Sequence, residues 1–180
     1  MTRPGDLHIH VGNTGVDTNI SVSDGKWHYL AVSWESENGV LVLYKDGEKV
    51  FSRSDFCTGH KLSQATTAAL VLGVYGDNRL EGSLGQVSVW SKVLSRGAVK
   101  RLMEKPLTGE ESQLVRAWVH GGNRAYDLSQ KQNHGNLYGD PAAERIGKLS
   151  GNSRPVRLLV GGAGQDIRNF TGCRVPDDYA

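Results

Sequence analysis

Two histidines stand at i and i+2 in Leu7-His8-Ile9-His10-Val11, a run that alternates apolar and polar residues. On a strand, residues two apart project from one face. That spacing could bring two imidazoles to a metal, with further ligands from His28, His60, His120 or an acid. Without such a partner the pair reads as polar residues on the solvent face of an edge strand. Glu35 and Glu37 also alternate. Glycoside hydrolysis asks for two carboxylates about 5–10 Å apart across the scissile bond. These two sit in a polar hairpin tip, Glu35-Ser36-Glu37-Asn38-Gly39, where solvated charge is expected. The glycines of Gly161-Gly162-Ala163-Gly164 follow the apolar run Val156–Val160, but a dinucleotide fingerprint needs a third glycine where Ile167 stands. A bend or hairpin turn is the reading there. No residue is assigned a catalytic role.

Binding chemistry is better represented. Tyr75 lies among glycines and polar residues between Val74 and Gly82, where an exposed aromatic suits sugar stacking or a protein contact. Lys92, Arg96 and Lys100 are spaced by four, with Arg101 and Lys105 adjoining and Glu104 alone opposing them. Such a stripe is either a solvated helix face or a weak, salt-sensitive site for heparin-like polyanions, centred on Lys92, Arg96, Lys100 and Arg101. Trp27, Trp34, Trp90 and Trp118 fall inside strand-like runs and are expected in the core; His28 beside Trp27 is expected to be structural. Cys57 and Cys173 would form one disulfide or remain two thiols. Asn19-Ile20-Ser21 and Asn169-Phe170-Thr171 match glycosylation acceptors, which matter on a secretory route.

The elements that must position these residues are mostly strands. The chain has 180 residues, 38% of them hydrophobic, enough for one cored domain or one domain and a tail. A net charge of +2 argues against nucleic acid as partner, and no apolar run is long enough for membrane insertion. Asp24-Gly25, Asn38-Gly39 and Asp46-Gly47 separate β-rich runs at 19–23, 27–34, 40–44 and 49–51, the pattern of a meander. Further strands are expected at 68–73, 85–90, 114–119 and 156–160, with turn residues dominating elsewhere after Asn123. One helix is expected, capped by Ser95, with Ala98, Val99, Leu102 and Met103 on one side and Pro106 ending it. The whole reads as an all-β fold: an antiparallel β-sandwich with one short helix.

Lys26-Trp27-His28-Tyr29-Leu30-Ala31-Val32-Ser33-Trp34, followed by Val42-Leu43-Tyr44-Lys45-Asp46-Gly47, resembles the central hairpin of laminin-G-like and pentraxin-like jelly rolls. Leu84 to Ser95 resembles the closing strand and helix of those domains, and Leu107 to Gly109, Leu114 to Trp118 and Ala125 to Gly139 resemble their tail. The resemblance covers residues 5–141 and implies a concanavalin A-like jelly roll. Family members carry strands before the segment equivalent to Leu7. Residues 142–180 are therefore expected either to complete the sandwich or to begin a second module. The resemblance implies a non-catalytic module, recognising glycan or protein ligands, from a larger extracellular or cell-surface protein. Its binding loop would hold Tyr75, Asp77, Asn78, Arg79 and Glu81. Calcium, which pentraxins bind just after the segment equivalent to Leu72-Gly73, would fall to Asp77, Asn78 and Glu81, a low carboxylate count. The alternatives are an accessory fragment of a carbohydrate-active enzyme, or a structural module that forms a homodimer through an open sheet edge.

Overall fold

A computed structural model describes residues 6–61, 70–72, 74–75, 78–79, 84–121, 124–137 and 158–163. Its first unit is a hairpin of β1 (Asp6–Val11) and β2 (Thr14–Ser21), with Val11 opposite Thr14. Gly12, at φ 56°, supplies the left-handed conformation that a two-residue connection needs. The meander follows as β3 (Leu30–Glu35), β4 (Val40–Lys45) and β5 (Glu48–Arg53). Asp46 and Gly47, both at positive φ, close its second turn. Then come the short β6 (Val74–Tyr75) and β7 (Asn78–Arg79), β8 (Val87–Trp90), helix α1 (Arg96–Glu104), β9 (Leu114–Gly121), β10 (Arg124–Asp127), β11 (Gly135–Asn136) and β12 (Leu158–Ala163).

Eight strands form one sheet in the order β11-β10-β9-β8-β12-β3-β4-β5. Every neighbouring pair is antiparallel except those of β12, which runs parallel to both β8 and β3 and joins them. Alternation along β3 and β4 sends side chains to two faces. On one face Tyr29, Ala31, Tyr44, Trp90 and Ala117 pack against Leu94, Val99 and Leu107, so α1 covers it. On the other, Trp34 and Leu41 pack with Phe56 and Val11, and Ile9 and Val16 of the β1–β2 hairpin lie against them. The fold is the expected β-sandwich with one short helix.

The helix is only nine residues long, too short to persist alone. Ser95 caps it by accepting from the Ala98 N–H at 3.3 Å, Lys105 closes it by donating to the Arg101 carbonyl, and buried Val99 ties it to the sheet. Gly47 lets the β4–β5 turn approach it, since a Cβ there would meet Lys100 Cγ at 2.9 Å.

Several expectations are corrected. Of the strand expected at 68–73, residues 68, 69 and 73 lie outside the described residues and 70–72 are not a strand: Leu70 packs against Val87, Val89, Val115 and Trp118, but Val71 and Leu72 are exposed. With solvent on two successive side chains, the run lacks the alternation that a half-buried strand requires. Gly161 and Gly162 do not turn; they continue β12, opposite Ser33 and Trp34. Lacking side chains, they suit a strand flanked by two others at the level of Trp34 and Trp90. The segment after Asn123 contains β10 and β11, too short to carry a periodic signal. Trp34, Trp90 and Trp118 are buried as expected, whereas Trp27 is half-buried at the approach to β3.

Candidate functional site

The loop expected to bind ligand contains a small hairpin of its own. Among the described residues β6 and β7 pair only with each other, Val74 opposite Arg79 and Tyr75 opposite Asn78. An aromatic and an amide residue are therefore cross-strand partners, joined through residues 76 and 77. Asp77 and Glu81 lie outside the described residues, so the structure brings together Tyr75, Asn78 and Arg79 of the five expected positions. Among the described residues, no group of three or more His, Cys, Asp or Glu side chains is arranged to hold a metal ion.

The basic stripe has an opposing charge that the sequence did not reveal. The β4–β5 turn brings Glu48 to α1, where it accepts from Lys100 Nζ at 2.6 Å and pairs with Arg96. The Lys100 hydrogen bond, then that of Arg96, hold the Glu48 carboxyl below the usual carboxylate range. Glu104 is thus not the sole counter-charge. Lys92 and Arg101 remain exposed.

Other polar residues do structural work. His28, buried, places Nδ1 2.9 Å from Asp46 Oδ2 and Nε2 2.9 Å from Asp24 Oδ1, as its structural assignment anticipates. Asp46 also accepts from the Tyr29 N–H at 2.9 Å, so the contact fastens the start of β3 to the β4–β5 turn. The His28 hydrogen bond is the main cause holding the Asp24 carboxyl below its ordinary value. Glu35 accepts from the Asn38 N–H at 3.1 Å, shaping the hairpin tip. Asp127 accepts from the N–H groups of Ala117, Ser129 and Asn133 and from the Ser129 hydroxyl, with Arg116 Nε 3.6 Å away. Burial lowers the Arg116 pKa and Asp127 raises it in opposition.

Asn19 is exposed on β2 in a left-handed conformation, while Asn169 lies outside the described residues. Cys57 is half-buried, its thiol 3.5 Å from the Val11 carbonyl; Cys173 is likewise outside them. Among the described residues, no helix is long and apolar enough to cross a membrane.

The family model described as concanavalin A-like lectin/glucanases superfamily, of laminin-G type, matches residues 3–100. Rat "Sushi, von Willebrand factor type A, EGF and pentraxin domain-containing protein 1" is 39% identical over 93 residues, covering 46% of this chain and 2% of the relative. Human neuronal pentraxin-2 is 30% identical over 82 residues, covering 41% of the chain and 19% of the relative. Human neuronal pentraxin-1 is 28% identical over 122 residues, covering 61% and 27%. The chain thus spans only a small part of these relatives' own lengths. No solved structure shows a significant match. The matched residues hold β1 to β8 and the start of α1, and this chain belongs to the concanavalin A-like lectin/glucanases superfamily as a laminin-G/pentraxin-like domain.

Proposed function

We propose that the chain is a non-catalytic recognition module of a larger extracellular or cell-surface protein, binding glycan or protein ligands through the loop that contains β6 and β7. The observation that carries this reading is the cross-strand pairing of Tyr75 with Asn78 in a hairpin separate from the main sheet. A ring for stacking and an amide for hydrogen bonding are the groups that a sugar or a polar protein surface would use. Loops on a rigid sandwich commonly carry such contacts. Arg79, one step further along, would add charge-assisted hydrogen bonds. The names of the pentraxin relatives support a multidomain setting, and the exposed Asn19 acceptor suits a secretory route. The use of Glu35 in shaping a hairpin tip favours binding over glycoside hydrolysis.

Calcium would fall to Asp77, Asn78 and Glu81. Their side-chain oxygens are of the type that calcium takes, but three residues fall short of its usual six to eight ligands. Backbone carbonyls, water or ligand hydroxyls would complete the shell. A glycan array probed with and without chelator tests the reading. Chelator-sensitive signal supports calcium-assisted glycan binding, and chelator-insensitive signal supports direct binding. Absence of signal under both conditions refutes the glycan version and leaves protein recognition to a parallel screen against extracellular proteins.

A further inference from the structure

The acceptor tripeptide Asn19-Ile20-Ser21 lies where the β1–β2 ladder departs from regular pairing. His8 is opposite Asp17 and Asp6 is opposite Ser21, so Thr18, Asn19 and Ile20 of β2 face the single residue Leu7. Such a bulge bends a strand and takes residues out of the ladder. The buried Thr18 side chain holds it in place. Its hydroxyl donates to the Leu7 carbonyl at 2.7 Å and accepts from the Ile20 N–H at 3.2 Å. These are contacts that backbone groups make in a regular ladder.

Asn19 sits at the apex of the bulge, exposed and at φ 55°. The left-handed conformation by itself favours Gly, Asn or Asp at this position and asks nothing of residue 21. Attachment of an N-linked glycan asks for Asn at 19 and a hydroxyl two residues on, with no proline between. Asn19 and Ser21 meet that requirement, and both are exposed. The hairpin packs against Trp34 and Phe56 through Ile9, Val11 and Val16, so a bulky group on Asn19 displaces none of these core contacts.

We propose that Asn19 carries an N-linked glycan. The donor is an oligosaccharide joined through a diphosphate to a lipid. The Asn19 amide nitrogen bonds to the anomeric carbon and gives up one proton. The bond from that carbon to the phosphate oxygen breaks, and the lipid diphosphate leaves with its electron pair. Such a modification needs the secretory route, the setting proposed above for the recognition module. Asn169-Phe170-Thr171 lies outside the described residues, and the site assigned is Asn19 alone.

The test expresses the full chain behind a cleavable secretion leader in a cell that makes N-glycans. Secreted and retained product alike are mapped by peptide mass spectrometry, before and after an amidase that removes N-glycans and converts the acceptor Asn to Asp. Conversion at Asn19 is expected. Ser21→Ala and Asn19→Gly should each abolish it, Ser21→Thr should keep it, and Asn169→Gln should leave it unchanged. Glycine adopts the left-handed conformation freely. Asn19→Gly should therefore keep the circular dichroism of the wild type, which separates loss of the acceptor from misfolding. Wild-type chain with unmodified Asn19 in both fractions would overturn the site, as would equal modification in Ser21→Ala. The glycan and protein arrays report on the β6–β7 loop separately: chain with a bare Asn19 that still binds there keeps the recognition reading, and glycosylated chain that binds nothing loses it.

Discussion

Replacing Asp127 by Asn keeps its shape and removes its charge at the point where β9, β10 and the following turn are tied together. Asp127 accepts four hydrogen bonds, at 3.1 Å from Ala117 N, 2.9 Å from Ser129 N, 2.7 Å from Ser129 Oγ and 3.0 Å from Asn133 N. Its charge partner, Arg116, is 1% exposed and also donates to the Val115 carbonyl at 2.6 Å. An Asn side chain has one oxygen to accept with, and its NH₂ would face donors. Among the described residues, the guanidinium would be left buried without a counter-ion. Breaking a buried pair from one side costs about 3–5 kcal/mol, a large part of the roughly 5–15 kcal/mol that holds a domain folded. With a urea m value of about 1–3 kcal/mol per M, a loss of about 3 kcal/mol lowers the midpoint by about 1–3 M. Tryptophan fluorescence suits the assay, because Trp118 donates to the Asn133 carbonyl in the same region. Ser129→Ala, which removes one hydroxyl donor, should cost about 1 kcal/mol. A loss below about 1 kcal/mol for Asp127→Asn, at unchanged m, would refute the reasoning.

Leu41→Ala, at a side chain with 0% exposure between Trp34 and Phe56, should cost about 2–5 kcal/mol in the same denaturation assay. Glu48→Gln releases Arg96 and Lys100 and should raise the salt needed to elute the chain from heparin. Arg96→Glu/Lys100→Glu should lower it, with little change in melting temperature; elution unaffected by either variant would remove α1 as a polyanion site. Asp24 has a lowered folded pKa, so its contact with His28 stabilises the fold at pH values above the ordinary 3.8 and loses that contribution as pH falls through the lowered value. The gap in urea midpoint between wild type and Asp24→Asn should therefore be open at pH 5 and close on acidification below pH 3.8; a gap independent of pH would contradict this.

What was legible in the sequence was local. Asp46-Gly47 marks a hairpin turn because two successive positive φ values favour those residues, and both are positive in the structure. Ser95 and Pro106 bound the helix through capping and a missing donor. Arrangements that join distant segments were not legible. Nothing between Leu158 and Ala163 announces that it runs parallel between β3 and β8, since a short apolar run carries no direction. Glu48 meets α1 only once the β4–β5 turn is folded against the helix. The candidate loop was legible as a loop, but the register of Tyr75 against Asn78 depends on a pairing of two residues on each side.

The central claim is that ligand recognition resides in the β6–β7 loop. Its most direct test is the binding profile of the wild type and of Tyr75→Ala/Asn78→Ala/Arg79→Ala, run side by side on glycan and extracellular-protein arrays. The account predicts specific signals for the wild type that the triple variant loses while its melting temperature stays close to wild type. A triple variant that keeps the full profile, or a wild type that binds nothing on either array, would contradict it.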